Sequence, residues 1–536
     1  MTDLLITGGT VVDGTGAAAR RADVAVTGGR IEAVGDLADR PAARTLDASG
    51  HVVTPGFVDV HTHSDLTLLS EPRAHSAVRQ GVTTVVVGNC GLGVTPVAAD
   101  REALRAAAGY LDLDPAVGWD WSDLPGYLDA LDRARPSVNV AALVAHIPLR
   151  AAAAGFGDRP AGAAELDRMR GLLADALAAG AAGVSTGLVY APACYAREEE
   201  LEALGRTAAA HGRLFSWHVR DYADDLLDSV RQALRVAAAT GCRTQISHLV
   251  AVGRRNHGKV ARALELIDDA RGAGLDVAFD VYPYLAGNAP LSQLLPAWAQ
   301  EGGEGPMRAR LAERDVRARV TAEWNDLPSS WDDITVSRVP EDPGAGGAEE
   351  AGGAGNVTGR TIAGIAADAG TDPREVALEL TAAYGNGVQM VAGGRSEADL
   401  LDALRHPAAV IGSDGQALDP LGPTGHGSPH PRSYGCYPRL FAEYVRRPGG
   451  LDLAEAVRKC TSAPAGRAGL ADRGVLRPGA VADIAVFDPI RIVDRATFTA
   501  PQQYPDGIRA VVVGGRPVVE DGAHSGARPG EILRVP

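Results

Sequence analysis

The stretch Gly56-Phe57-Val58-Asp59-Val60-His61-Thr62-His63, GFVDVHTH, is a short apolar run that ends in two histidines. Seven more apolar runs follow it, separated by segments rich in Ala, Leu, Arg and Glu such as AAELDRMRGLLADALAAG (163–180). Short apolar runs alternating with helical segments are typical of parallel strands joined by helices, so eight of them predict an α/β protein with a (β/α)8 TIM-like barrel. The eight runs are GFVDVHTH (56–63), TTVVVGNC (83–90), VNVAALVAH (138–146), AGVSTGLVY (182–190), LFSWHV (214–219), TQISHLV (244–250), DVAFDVYPY (276–284) and AAVIGSD (408–414).

Both ends of the chain have a different pattern. LLITGGTVVDG and ADVAVTGGRIEAVGD near the start, and GAVADIAVFDP and GIRAVVVGGRPVVEDG near the end, alternate apolar residues between glycine and aspartate turns. Such segments predict hairpins, and chain termini often lie close together. We therefore expect residues 1–55 and 476–536 to form one small β-sandwich domain, with the barrel at 56–475.

The gap between the seventh and eighth runs is too long for one strand-to-strand crossover. We expect about 285–405 to be a lid-like insertion over the barrel mouth, with the string PGAGGAEEAGGAG (343–355) as a flexible tip. A further short run within it, GVQMVAG (387–393), leaves the numbering of the later strands open.

Composition excludes several classes of function. The net charge of −15 argues against a nucleic-acid or anionic-membrane partner, because both reward clustered Lys and Arg. The N-terminus has neither the basic start nor the apolar core of a signal peptide, and no run reaches the ~18 apolar residues of a membrane helix. The five cysteines form no CxxC pair, so we expect free or metal-bound thiols and a cytoplasmic location.

Residues that bind metals or transfer protons end five of the eight runs. In a parallel barrel the carboxyl ends of all strands meet at one face, where active sites form. Residues i and i+2 of a strand point to the same side, so both histidines of His61-Thr62-His63 can face the barrel mouth. Imidazole together with thiolate suits Zn²⁺ rather than Mg²⁺ or Ca²⁺. The residues that predict this metal site are His61, His63, Cys90, His218, His248 and Asp414.

A family resemblance is carried by motifs spread over the whole chain. The segments GGTVVDGTG, VVTPGFVDVHTHSD and ADIAVFDP resemble the amidohydrolase superfamily. Within it the chain resembles the N-acyl-D-amino-acid deacylase, or D-aminoacylase, family through a second set of motifs. These are GVTTVVVGNCG, GVSTGLVYAP, SWHVRD, QISHLVAVGRRNHGK, DVYPYLAG, IGSDG and HPRSYGCYPR.

The resemblance implies a ligand set for zinc. Cys90, His218 and His248 match the three ligands of that family's tightly held ion. His61 and His63 match the pair that faces a second, weaker metal position, which Cys90 is able to bridge.

The resemblance also implies roles in substrate binding and proton transfer. Asp414 matches the general base that activates the attacking water and then protonates the leaving amine. Arg432 matches the arginine that holds the substrate α-carboxylate, with the hydroxyls of Tyr190 and Tyr282 beside it. A guanidinium pairs with a carboxylate through two parallel hydrogen bonds, which fixes orientation as well as affinity.

Lysine occurs only as Lys259 and Lys459. Hydantoinase- and dihydroorotase-like relatives bridge two metals with a carboxylated lysine from the fourth strand, and no lysine precedes Lys259. The Cys90 thiolate is the alternative bridging anion.

The predicted function is zinc-dependent hydrolysis of an N-acyl-D-amino acid, with dipeptides ending in a D-residue among the candidates. A small molecule is therefore the expected partner, and self-association is left open. One alternative is an amidohydrolase acting on a cyclic imide or a β-aspartyl dipeptide, and another is a metal-binding relative without catalysis. After His248-Leu249 many relatives have a lysine, whereas this chain has Val250. The absence of that lysine favours substrates with neutral or apolar side chains, unless Arg220, Arg254 or Arg255 supplies a positive charge.

Overall fold

The computed structural model describes residues 1–340 and 357–536, so the predicted tip at 343–355 lies outside the described residues. Within these residues the strands form a nine-stranded sheet, an eight-stranded parallel sheet and a three-stranded sheet. The strands are β1 (Thr2–Val11), β2 (Arg20–Thr27), β3 (Arg30–Gly35), β4 (Ala42–Asp47), β5 (Val52–Pro55), β6 (Phe57–Asp59), β7 (Val82–Val87), β8 (Asn139–Ala145), β9 (Gly183–Gly187), β10 (Leu214–His218), β11 (Arg243–Ile246), β12 (Val277–Val281), β13 (Gly287–Pro290), β14 (Ile334–Arg338), β15 (Gln389–Ala392), β16 (Ala409–Ile411), β17 (Ile484–Phe487), β18 (Ile508–Val513), β19 (Arg516–Glu520) and β20 (Ala523–His524).

The eight-stranded sheet is the barrel, in the order β6-β7-β8-β9-β10-β11-β12-β16 with parallel neighbours. Each strand overlaps one of the eight predicted runs, with β7 and β11 beginning one residue earlier, which confirms the predicted fold class. Backbone hydrogen bonds of 2.8 Å close the barrel, from Asp414 N–H to the His61 carbonyl and from His63 N–H to the Gly415 carbonyl. Residues of the candidate site therefore make the closing contacts themselves.

Helices surround the barrel, and consecutive ones pack side by side. In Ala163–Ala178 the buried residues Met169, Leu173 and Leu177 recur every four positions and form one apolar face. No helix in the described ranges is both long and apolar enough to cross a membrane. The helices are α1 (Thr67–Ser70), α2 (His75–Val78), α3 (Arg101–Ala107), α4 (Leu124–Ala134), α5 (His146–Ala154), α6 (Ala163–Ala178), α7 (Glu198–Ala210), α8 (Leu226–Thr240), α9 (Lys259–Gly272), α10 (Glu304–Arg310), α11 (Arg314–Glu323), α12 (Ile362–Ala369), α13 (Pro373–Tyr384), α14 (Glu397–Arg405), α15 (Arg432–Arg439), α16 (Leu453–Cys460) and α17 (Ser462–Arg467).

The nine-stranded sheet contains strands from both ends of the chain. Strands β5 and β17 pair antiparallel, and β1 pairs with β2, β4 and β5. Leu4, Ile6, Val24 and Val486 lie in its separate apolar core. Strands from both terminal segments therefore lie in one sheet and share one apolar core.

The insertion between β12 and β16 has its own sheet, β13-β15-β14, and the helices α10 to α13. Met307, Trp324 and Ile334 belong to its own apolar core. The run GVQMVAG contains β15 and so belongs to this sheet rather than to the barrel. Gly287 and Met390 line the same cavity as Cys90, so the insertion forms part of the wall of that cavity. The helix α14 that follows packs against α9 in the outer ring.

Candidate active site and metal centre

The predicted ligands lie at the carboxyl ends of barrel strands. His218 is the last residue of β10, and the others follow their strands by two to four positions. All of them are buried at the mouth of the barrel. The strand-end prediction therefore corresponds to side chains that the structure brings together.

Three of these residues have a left-handed backbone. The φ angles are +55° at Cys90, +35° at His248 and +52° at Asp414. Such values cost a non-glycine residue on the order of 1–3 kcal/mol and are concentrated at functional sites. Glycines make room for this geometry, since a Cβ at Gly187 would overlap the Cys90 carbonyl oxygen and one at Gly88 would overlap that of Leu143.

The ligand atoms of His61, Cys90, His248 and Asp414 all lie within 4.8 Å of one another. Cys90 Sγ is 3.2 Å from His61 Nε2 and 3.4 Å from His248 Nε2. His218 joins the group through Nδ1, 3.1 Å from His248 Nε2. His63 joins through Nε2, 3.0 Å from Asp414 Oδ1.

These separations fit a zinc ion. Ligands at ~2.0–2.3 Å from tetrahedral zinc lie roughly 3.3–3.8 Å from each other, close to the spacings at Cys90 and His248. The lone pairs of His61 Nε2, His248 Nε2 and Cys90 Sγ point toward one another. Their mutual repulsion requires a shared cation or protons between them. The donor set of imidazole, thiol and carboxylate is the one that zinc prefers.

The electrostatics differ among the histidine ligands. Burial disfavours the charged form of each, but at His61 the neighbouring Cys90, Asp280 and Asp414 raise the pKa well above its ordinary value, whereas His218 and His248 stay neutral. Burial lowers the pKa of His218 to about 3 and that of His248 well below its ordinary value. Burial also raises the pKa of Cys90 to about 11, against the opposing effect of His61. Neutral imidazoles are ready to bind a metal, whereas the Cys90 thiol requires the ion itself to release its proton.

Asp414 is held as a carboxylate. Burial acts to raise its pKa, but the charges of Arg432 and His61 and a hydrogen bond from His63 bring it well below the usual value. One Arg432 guanidinium nitrogen, Nη1, lies 2.7 Å from Asp414 Oδ2. An ionised carboxylate beside the ligands can accept a proton at neutral pH.

The three predicted substrate-binding residues lie around the same site. The guanidinium of Arg432 is fully buried and lies 4.8 Å from the centre of the Tyr282 ring. The Tyr190 ring is 5.1 Å from that of His218, and its hydroxyl donates to Gln293 Oε1 at 3.3 Å. Tyr190 and Tyr282 line a cavity of about 300 Å³ together with Cys90 and Asp414.

The chain is similar to known proteins over nearly its whole length. The model of the amidohydrolase family matches residues 44–519. An N-acyl-D-glutamate deacylase of Alcaligenes xylosoxydans xylosoxydans is 39% identical over 99% of this chain and 96% of its own. The chain belongs to the amidohydrolase family, within its N-acyl-D-amino-acid deacylase branch. A D-aminoacylase of the same organism is 36% identical over 99% of this chain and 97% of its own.

Two solved structures of the deacylase branch share the whole fold. One is an N-acyl-D-glutamate deacylase from Bordetella bronchiseptica complexed with zinc and a phosphonate inhibitor that mimics the tetrahedral intermediate. It is 36% identical, with a TM-score of 0.83 over 99% of each chain. The other is a D-aminoacylase described as having a binuclear metal centre, 34% identical with a TM-score of 0.82 over all of both chains.

Asp280 contacts the predicted ligands, but it was not among the site residues predicted from the sequence. Its Oδ1 accepts a hydrogen bond of 2.9 Å from His61 Nδ1 and one of 2.7 Å from the His248 backbone N–H. Its Oδ2 accepts from Gln245 Nε2 at 3.1 Å. A buried carboxylate inside the apolar run DVAFDVYPY is the signal that could have identified it.

Tyr110 and Asp59 were also missed. The Tyr110 ring packs edge-on to His63 at 5.2 Å, and its hydroxyl donates to Asn288 Oδ1 of the insertion at 2.8 Å. Asp59 accepts from the Ser413 N–H at 2.8 Å and so joins the first barrel strand to the loop before Asp414. Nothing in the sequence around Tyr110 marks it, because its neighbours come from distant segments.

Proposed function

We propose that this chain is a zinc-dependent hydrolase that cleaves N-acyl-D-amino acids to a D-amino acid and a carboxylate. The observation that carries the proposal is the cluster of His61, Cys90, His248 and Asp414 with ligand atoms within 4.8 Å. The full-length similarity to deacylases of D-amino acids supports the substrate class and its stereochemistry. One zinc ion bound by Cys90, His218 and His248, with a second, weaker position beside His61 and His63, fits the donor set.

Zinc, when bound, polarises the amide carbonyl and lowers the pKa of water. The remaining chemistry belongs to the protein. Asp414 removes a proton from the attacking water, whose oxygen forms the new bond to the acyl carbon. The C–N bond then breaks, and Asp414 returns the proton to the departing nitrogen, so that water is divided between the two products.

Arg432 orients the substrate in this proposal. Its guanidinium forms the ion pair with Asp414 described above, so an α-carboxylate that binds Arg432 lies next to the base. The Tyr282 ring lies beside Arg432, and Tyr190 lies on the His218 side of the cavity. When Arg432 holds the α-carboxylate and the metal site holds the acyl carbonyl, the D- and L-enantiomers differ in where they place the α-hydrogen and the side chain. The cavity can therefore accept one enantiomer and reject the other.

The test is a panel of N-acetyl-amino acids offered as separate D- and L-enantiomers, with free amine measured at a defined zinc concentration. Turnover of the D-forms, loss of activity on chelation and its return with zinc are the expected results. Equal rates on both enantiomers, or none on the D-forms, would overturn the proposal. Asp414→Asn should retain zinc while losing about 10²–10⁴-fold in rate, and an active, metal-loaded variant would remove Asp414 from its role.

The cysteines bear on the cellular compartment in which this reaction takes place. All five cysteines are free in the described structure, which supports a reducing, cytoplasmic compartment for this reaction.

The domain division at 1–55 with 476–536 and at 56–475 remains part of the same proposal. Expression of the barrel without its terminal segments is expected to give insoluble protein, since Phe487 packs on Phe57 of the barrel.

A further inference from the structure

Arg395 brings a second guanidinium to the catalytic cavity. It follows β15 of the inserted sheet, and its Nη1 donates a hydrogen bond of 2.6 Å to the Tyr282 hydroxyl. The side chain lines the same cavity as Cys90 and Asp414, and it packs so closely on Gly287 that a Cβ there would overlap it. The insertion therefore places a cation in the cavity that the barrel strands do not supply.

The charge of Arg395 has no carboxylate partner among the described residues. The tyrosine hydroxyl is neutral, and the Arg395 Nε atom is buried without a hydrogen-bond partner in the described part of the chain. Arg432 differs, because its charge is paired with Asp414. A partly buried guanidinium without a counter-charge is unfavourable and is stabilised by an anion that enters the cavity.

The other arginines that the sequence suggested do not offer such a site. Arg220 lines the cavity, but its terminal nitrogens donate to the carbonyls of Cys194 and Ala196 at 2.7 and 3.0 Å. Arg254 and Arg255 are exposed, and Arg255 pairs with Asp224. Arg395 is thus the cavity arginine whose hydrogen-bonding capacity remains for a ligand.

The two cations occupy different positions relative to the chemistry. Both guanidiniums approach the Tyr282 ring, at 4.8 Å for Arg432 and 5.2 Å for Arg395. Arg432 forms an ion pair with Asp414, whereas Arg395 contacts the hydroxyl end of Tyr282 beside the inserted sheet. A substrate group bound by Arg395 is consequently distinct from an α-carboxylate held beside Asp414.

Given the proposed deacylase function, we propose that Arg395 binds a second anionic group on the substrate side chain. The preferred substrates are then N-acyl-D-amino acids with an acidic side chain, for which N-acetyl-D-glutamate and N-acetyl-D-aspartate are the probes. A neutral side chain would leave the guanidinium without a counter-charge, so selectivity arises from the penalty on the wrong substrate as well as from attraction of the right one. This replaces the expectation of neutral or apolar side chains, which considered only residues close to the histidine motifs.

The experiment compares kcat/KM for N-acetyl-D-glutamate with its neutral isostere N-acetyl-D-glutamine, and N-acetyl-D-aspartate with N-acetyl-D-asparagine. The variants are Arg395→Met, which keeps the apolar stem, and Arg395→Lys, which keeps the charge. Arg254→Met is the matched control, because it removes the same charge from an exposed position outside the cavity. Zinc content of every variant is measured in parallel.

Wild type should favour the acidic member of at least one pair by about 10-fold or more. Arg395→Met should lose roughly 10- to 100-fold on that acidic substrate and change little on its neutral isostere, as expected for one charged hydrogen-bonded contact. Arg395→Lys should recover part of the loss, and Arg254→Met should resemble wild type.

Two outcomes would overturn the inference while leaving the deacylase function intact. One is faster turnover of the neutral substrates by wild type. The other is an equal loss on acidic and neutral substrates in Arg395→Met, which would mean that Arg395 only positions Tyr282 or shares the α-carboxylate. Turnover of no D-substrate at all, by contrast, would overturn the proposed function and this inference with it.

Discussion

Oδ1 of Asp280 accepts a hydrogen bond from Nδ1 of His61, 2.9 Å away, on the side of the imidazole opposite Cys90. This bond places the His61 proton on Nδ1 and leaves Nε2 free to bind a metal. The same oxygen accepts from the His248 N–H at 2.7 Å, where the backbone has its left-handed turn. One carboxylate therefore orients two of the predicted zinc ligands.

Replacing Asp280 is expected to weaken metal binding without removing a ligand. We expect Asp280→Ala to lower zinc affinity by about 10- to 100-fold, because His61 loses its orientation and the His248 turn loses its hydrogen bond. Competition with a chromophoric chelator measures this change. Asp276→Ala, just before the start of the same strand, is the control and should bind zinc as wild type does. Unchanged affinity in Asp280→Ala would show that the bond is not required.

Cys90→Ser should lose most of the bound zinc. A serine hydroxyl is a poor ligand at neutral pH, whereas a thiolate is a strong one. Metal content after gel filtration measures the loss, and activity is expected to decrease with it. Cys242→Ser replaces another buried thiol, one that lies 3.5 Å from the Thr244 hydroxyl, and should retain metal. If Cys90→Ser held as much zinc as this control, Cys90 would be only a packed core residue.

Arg432→Met should reduce kcat/KM on every D-substrate by about 100-fold or more while zinc content is unchanged. The reason is that the buried guanidinium provides the charged contact for the α-carboxylate. Arg432→Lys should recover only part of the loss, since an ammonium cannot form two parallel hydrogen bonds. Initial rates at several substrate concentrations measure the effect. If the Arg432→Met variant lost its zinc instead, Arg432 would serve mainly to position Asp414 beside the metal site.

Acid should destabilise the fold through His524. Burial, with a further contribution from His75, lowers the pKa of His524 to about 4. The unfolded chain binds this proton below about 6.5 and the folded chain only below about 4, so the free energy of unfolding decreases as pH falls through that window. The free energy of unfolding of the His524→Gln variant, measured by urea titration, should decrease less between pH 6.5 and 4 than that of wild type. An identical pH dependence in the variant would exclude this contribution.

The barrel strands, and the meeting of the predicted metal ligands at one end of the barrel, were predictable from the sequence because both depend on local order along the chain. An apolar run followed by histidine or cysteine is visible in the sequence, and parallel strands bring such ends together whatever lies between. His61, Cys90, His218 and Asp414 were identified in this way. Once eight parallel strands are recognised, the barrel topology predicts that residues at the carboxyl ends of those strands lie close together.

The residues that were missed depend on contacts between distant segments. Tyr110 hydrogen-bonds to Asn288 of the insertion, and Arg395 hydrogen-bonds to Tyr282 of the barrel. The insertion was expected over the mouth, but no local pattern shows which of its residues face the site. Asp280 lies inside an apolar run, where its partners are decided by the neighbouring strands. Such pairings require the three-dimensional packing of the insertion on the barrel.

The insertion gives this enzyme two parts that can change independently. The predicted ligands and Asp414 follow barrel strands, whereas Gly287, Met390 and Arg395 belong to the insertion between β12 and β16. Under the role proposed for Arg395, exchanging that insertion between relatives would alter which side chain is accepted and leave hydrolysis itself in place. New specificities can therefore arise by editing a single segment of the chain.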